Sequence, residues 1–177
     1  LSEMKVFPGV IMSRSGADIN VNGGGSEENL ILLDGVPIYH NSHINYMLPV
    51  FNGSVIKNVN LYSSYFPARY EGKLSSILDI KIKEGNKKKH SRSLSLDIPS
   101  VAAMLEGPIK KEKASYMVSG RRSWMEFLDK AIPASKRANY TFYDIYTKLY
   151  WDISAKTSMQ ISTYHTIDEY YSPIPEG

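Results

Sequence analysis

His40 and His43 stand three residues apart, the spacing in this sequence that comes nearest to a metal site. Two imidazoles at that spacing on one helix face can begin a zinc site, with a carboxylate or a further ligand completing it. Here Asn41-Ser42 between them reads as loop, and no carboxylate follows in a useful register. No metal site is expected. Gly23-Gly24-Gly25 is the second candidate, because the amides of a glycine loop can cradle phosphate. That chemistry needs a Gly-Lys-Ser/Thr continuation opening a helix, and neither is present, so the glycines read as a turn. With no Cys, thiol nucleophiles, disulfides and Cys-ligated zinc are excluded. The four His are scattered, and no nucleophile, base and orienting group fall into one set. Neither a catalytic residue nor a cofactor is expected, and the chain does not read as an enzyme.

The remaining signal is architectural. A chain of 177 residues can hold one domain or two small ones. Apolar residues at 42% suffice for a core, and 22% charged residues is ordinary, so disorder is not the default. The net charge is +3 with basic residues spread along the chain, which argues against a nucleic-acid partner. One local exception is the basic run Lys87-Lys88-Lys89-His90. No run of apolar residues is long enough for a transmembrane helix, but barrel strands need only about 10 alternating residues each.

The stretch that organises the chain is Pro67 to Lys83. It opens as a turn punctuated by Pro67 and Gly72. It closes as a strand with Leu78, Ile80 and Ile82 on one face and Asp79, Lys81 and Lys83 on the other. Before it the chain reads as an irregular α+β unit: a helical end over Ser2–Val6, a brief strand over Asp18–Val21, and a buried strand over Leu30–Leu33. Asp34-Gly35 is a turn signal, and Pro37 places the returning segment Val36–Tyr39 at a sheet edge. Asn52 suits the N-cap of a helical turn through Ile56, and Val59–Tyr62 is the next strand. Tyr62, Tyr65, Phe66 and Tyr70 crowd one segment, either as cover for a small sheet or as ligand contacts.

After Gly85 the style changes to long alternation. Tyr143, Ile145, Leu149, Trp151 and Ile153 share one face with Thr147, while Asp144, Tyr146, Lys148, Tyr150 and Asp152 share the other. Met159, Ile161 and Ile167 alternate with Ser158, Gln160, Ser162 and Tyr164; Ala114, Tyr116 and Val118 alternate with Ser115, Ser119 and Arg121. Between Arg92 and Ile109 the apolar phase slips from even (Leu94, Leu96, Ile98) to odd (Val101, Ala103, Leu105), which predicts a hairpin at Pro99-Ser100. Tight connections then lie at Lys110–Lys113 and Ser154–Thr157, with the long Ser123–Thr141 connection on the opposite side. Ser123 and Glu126 match a capping box for a short helix carrying Phe127 and Leu128. Alternating strands with one polar face fit either a soluble β-sandwich or an outer-membrane barrel. Tyr and Trp among the apolar residues favour the barrel.

Several ordered segments resemble the plug domain of TonB-dependent outer-membrane receptors: Asn29–Pro37, Ile56–Tyr62, Phe66–Gly72 and Leu74–Ile80. Within them the resemblance singles out Asp34, Gly35, Pro37, Arg69, Tyr70, Gly72 and Ser75. Leu105-Glu106-Gly107-Pro108-Ile109 and Ser119-Gly120-Arg121-Arg122 resemble the first barrel strands of the Bacteroidetes-type receptors that carry a carboxypeptidase-regulatory-like domain ahead of the plug. There the marked residues are Glu106, Gly107, Pro108, Gly120, Arg121 and Arg122. The resemblance implies an α+β plug over residues 1–85 and antiparallel strands of an incomplete transmembrane barrel over 86–177. It implies active uptake of a small-molecule, glycan or peptide ligand, with TonB, the outer membrane and a surface lipoprotein as partners.

Two departures stand out. Val21-Asn22-Gly23-Gly24 replaces the family's usual Arg-Gly, so an arginine that would pair with barrel carboxylates is missing; Glu71 replaces a usual Gly. The chain also opens at Leu1 without a signal segment and ends just past a periodic stretch. About five strands cannot close a plugged barrel of roughly 22, so a longer protein is expected.

Overall fold

The computed structural model describes residues 9–12, 19–39, 42–43, 48–49, 52–63, 65–67, 69–70, 75–97, 100–124 and 139–171. The chain divides into two compact units, Leu1–Lys83 and Glu84–Gly177.

In the first unit the continuous apolar run of residues 30–33 does what such runs do when both faces are covered: it becomes an inner strand. Strand β3 (Asn29–Leu33) lies between β4 (Val36–Pro37) and β8 (Ser76–Ile82), with β7 (Ile56–Tyr62) on the far side of β8. The β3–β8 pair is parallel, with Asn29 opposite Ser76 and Leu33 opposite Ile80; β7 and β4 run antiparallel to their neighbours. Two short ladders accompany this sheet: β1 (Val10–Met12) with β2 (Ile19–Val21), and β5 (Ser42–His43) with β6 (Leu48–Pro49). Ile31, Leu32, Leu33, Val55, Ile77, Leu78, Ile80 and Ile82 form the core, joined by Ile19 and Val21.

The turn chemistry follows the residues. Asp34 and Gly35 take φ of +51° and +88°, the left-handed pair a two-residue hairpin turn requires. Pro37, which lacks an N–H, sits on the terminal strand of the sheet. Asn52 caps as expected, its side chain accepting from the Ser54 amide at 3.0 Å, but the turn it caps is a 3-10 helix over Gly53–Val55. Strand β7 therefore starts at Ile56 rather than Val59, with a register irregularity between Ile56 and Asn58. Among the described residues the helical part of the expected α+β unit amounts to this turn and another over Ser26–Glu28. The helical end expected at Ser2–Val6 lies outside the described residues.

The strand expected over residues 77–83 is present as β8, and its polar face is buried along with the apolar one: Asp79 is 3% exposed and only Lys81 within β8 escapes burial. An inner strand of a sheet covered on both sides buries whatever its alternation offers. Asp79 keeps its charge compensated by Lys81, 3.2 Å away.

The second unit is a five-stranded antiparallel meander: β9 (Ser91–Leu96), β10 (Ser100–Lys110), β11 (Ala114–Ser123), β12 (Asn139–Ser154) and β13 (Thr157–Tyr171). The phase slip is a hairpin. Val101 pairs with Leu96, and the Asp97 amide donates to the Ser100 carbonyl at 2.8 Å. The β10–β11 and β12–β13 connections are tight and share one end of the sheet; the β9–β10 turn and the long β11–β12 connection share the other. Strands β12 and β13 have 16 and 15 residues, longer than alternation alone delimits, because cross-strand pairing continues from Asn139 opposite Tyr171. Ser123 ends β11, and its hydroxyl accepts the Phe142 amide at 3.0 Å. Glu126 and the predicted helix after it lie outside the described residues.

Candidate functional site

Pairing register sorts every side chain of the five-stranded sheet onto one of two faces. One face carries Leu94, Leu96, Leu105, Ile109, Val118, Ile145, Leu149, Trp151, Ile153, Met159 and Ile161, and all of these are exposed. The opposite face carries Ser115, Ser119, Ser123, Asp144, Tyr146 and Lys148, and all of these are buried. The inversion is sharpest along β12, where Lys148 is 2% exposed while Trp151, three residues on and on the other face, is 49% exposed. Water rewards the reverse arrangement. In this sheet the apolar face is the exposed one and the polar face the buried one.

Within the polar face Arg121 and Asp144 form an ion pair. The Arg121 Nε donates to Asp144 Oδ2 at 2.8 Å and Nη2 lies 2.7 Å from the same oxygen, with both side chains under 10% exposed. The guanidinium also lies 5.1 Å from the Phe142 ring centroid. Register makes the contact: Arg121 and Asp144 are directly opposed in the β11–β12 ladder. Glu106 shares this face, opposed by Met117 and Ser91.

Of the glycines named from sequence in this unit, Gly107 serves close approach. Gly107 lies on the apolar face opposite Tyr116, and the His90 ring occupies the space its Cβ would fill. His90 Nδ1 is 3.2 Å from the Tyr116 hydroxyl, so the two rings cover the bare backbone. Pro108 opposes Ser115 beside a register shift, Gly120 opposes Ala103 and Ile145, and Arg122 is exposed between Val101 and Tyr143.

In the first unit the marked residues hold strand ends together. Asp34 donates its amide to the Ile80 carbonyl at 2.8 Å and accepts the Ile82 amide on Oδ1 at 3.1 Å, so the turn after β3 extends the ladder of β8. The Ser75 hydroxyl donates to the Val21 carbonyl at 2.7 Å, while its side chain fills the space beside Gly24. Arg69 lies 4.7 Å over the Tyr70 ring, which is itself 5.7 Å from the Tyr62 ring. The hydrogen-bonding phenol of Tyr70 pushes the exposed guanidinium further above its already high range. Gly72 lies outside the described residues, as does His40 of the discounted metal pair.

Asn22, where the resemblance called for an arginine, takes φ of +51° and donates to the Ser63 carbonyl at 2.7 Å. It works as a local clasp between the end of β2 and the end of β7. Sequence reading missed a buried polar contact of this unit. Asn29 donates to the Ile19 carbonyl at 2.6 Å and accepts from the Ser76 hydroxyl at 2.6 Å, all of it buried. Replacing Asn29 by Leu leaves the hydroxyl and the carbonyl without these bonds. We expect a loss of about 1–3 kcal/mol for each group stranded, read as a lower denaturant midpoint of the natural protein with an unchanged slope.

The residues named from sequence thus fall into two groups, one in each unit.

No protein-family model matches the chain, and no curated protein matches it. Solved structures do. The siderophore receptor PirA from Acinetobacter baumannii aligns over 97% of this chain at 20% identity and a TM-score of 0.65. PirA from Pseudomonas aeruginosa aligns over 96% at 16% identity and 0.63, and the ferric enterobactin receptor PfeA of that organism over 96% at 16% and 0.57. The chain has the fold of part of these receptors. It spans about 30% of their length.

Proposed function

We propose that this chain is the plug and first barrel strands of a TonB-dependent outer-membrane receptor, and that the whole protein takes up a ligand through a plugged β-barrel. One observation carries the proposal: a five-stranded meander with exposed Leu, Ile, Val, Met and Trp on one face and a buried Arg121–Asp144 pair and Lys148 on the other. A lipid-facing band around a polar lumen has this pattern, and only a closed barrel satisfies strand edges in lipid. Likeness of fold to siderophore receptors supports the same reading.

In this reading residues 1–85 are the plug and 86–177 the first strands, the long β11–β12 connection faces outward, and the tight turns face the periplasm. Short strands held by turn clasps such as Asn22–Ser63 and Ser75–Val21 suit a plug that TonB must remodel, because local unfolding free energy is lowest where buried contacts are few. The ligand is a small molecule, glycan or peptide. The Leu105–Ile109 and Ser119–Arg122 motifs support the Bacteroidetes type, with a regulatory-like domain ahead of the plug and a surface lipoprotein as the further partner. Fractionation of the natural gene product tests this: it is expected with the outer membrane, resisting urea extraction. Recovery as a soluble monomer would sink the proposal.

A further inference from the structure

The basic run Lys87–Lys89 is idle in the uptake reading, yet the structure fastens it down. Asn86 Oδ1 accepts the Lys88 and Lys89 amides at 2.9 and 3.1 Å. The Lys87 carbonyl accepts the Glu112 amide at 3.0 Å, and the Glu84 carbonyl accepts the Ser115 hydroxyl at 2.7 Å. Gly85, at φ of +85°, packs so closely on the Tyr116 carbonyl that no Cβ fits. Lys87 itself is ion-paired with Asp152 and sits 4.3 Å over the Tyr150 ring.

The run is thereby tied to the tight-turn end of the sheet, where Lys110, Lys111, Lys113 and Lys156 are all exposed. Seven lysines here face three carboxylates, Glu84, Glu112 and Asp152, an excess of four positive charges where the whole chain carries +3. Beside them the apolar face holds a groove of about 470 Å³ lined by Ile109, Leu149, Trp151, Met159 and Ile161, with Lys110 at its border.

We propose that this groove and its lysine rim seat an anionic phospholipid: the acyl chain lies in the groove and the phosphate pairs with lysines of the β10–β11 turn. The proposal rests on the membrane reading above. Charge complementarity selects the occupant. A zwitterionic lipid leaves the excess of lysines uncompensated, and a soluble acidic protein has no use for an apolar groove that opens on the exposed apolar face. Each lysine near an anionic headgroup contributes about a factor of five in affinity.

The test uses the natural full-length protein in phosphatidylcholine bilayers doped with brominated phosphatidylglycerol or brominated phosphatidylcholine. Quenching of Trp151 is isolated by subtracting the Trp151→Phe variant. We expect phosphatidylglycerol to quench at a mole fraction on the order of 100-fold lower than phosphatidylcholine does. Substituting Gln for Lys110, Lys111 and Lys113 together should remove the preference, and substituting Arg should keep it. Equal quenching by both lipids, or a preference that survives the Gln variant, overturns the proposal while leaving membrane insertion intact. Failure to insert into any bilayer defeats the membrane reading itself, and this proposal with it.

Discussion

Replacing Leu149 by Arg should destabilise the full-length protein in a bilayer by about 2–4 kcal/mol, whereas replacing Gln160 by Arg should change little. The first figure is the penalty for a cation on the lipid face near the membrane midplane. The two positions are neighbours in depth: Leu149 opposes Ile161 and Tyr150 opposes Gln160 in the same ladder. They differ in face, since Leu149 belongs to the exposed apolar set while Gln160, opposite Tyr150, lies on the polar face. Reversible unfolding in lipid vesicles, followed by tryptophan fluorescence, reads both. Similar penalties at the two sites would mean that the faces are not in different solvents.

Asp144→Ala should cost about 3–5 kcal/mol, more than most surface or half-buried substitutions. The cause is not the worth of the ion pair but the stranding of its partner, because a buried guanidinium without its carboxylate keeps its desolvation penalty. Arg121 is 9% exposed in its side chain and donates to Asp144 through Nε at 2.8 Å. The double variant Arg121→Leu, Asp144→Leu should therefore recover most of the loss. A double-mutant cycle checks this. Additive losses would show that the pair is not coupled and that water reaches Arg121.

Much of the architecture is local enough to be written in sequence. Period-two alternation over residues 143–153 sets the two faces of β12, and the even-to-odd slip between Leu96 and Val101 marks the β9–β10 hairpin. The Asp34-Gly35 turn and the Asn52 cap are set by local backbone conformation and are equally visible, although the bonds Asp34 makes to Ile80 and Ile82 are not. The parts that stayed hidden depend on partners distant in the chain. Asn29 meets Ser76 only because β3 and β8 pair in parallel, and nothing near either residue announces that register. Burial of Asp79 follows from the inner position of β8, which alternation alone does not report. Arg121 carried a family motif, but its partner Asp144 emerges only from the β11–β12 register. Asn22 shows the complementary case: at a place where resemblance led us to expect an arginine anchor, the structure uses a left-handed turn residue as a short clasp.

The central claim is that the apolar face of β12 meets lipid. This stretch of sequence contains no Cys, so single Cys substitutions from Tyr143 to Ile153 can carry spin labels in the reconstituted natural protein. Collision rates with oxygen, which concentrates in hydrocarbon, and with a water-soluble nickel chelate report the medium at each position. The account predicts oxygen maxima at 145, 149, 151 and 153 and minima at 144, 146 and 148, with the chelate excluded from the first set. Chelate access at 149 and 151 equal to that of a water-exposed turn residue such as Ala155 would contradict it.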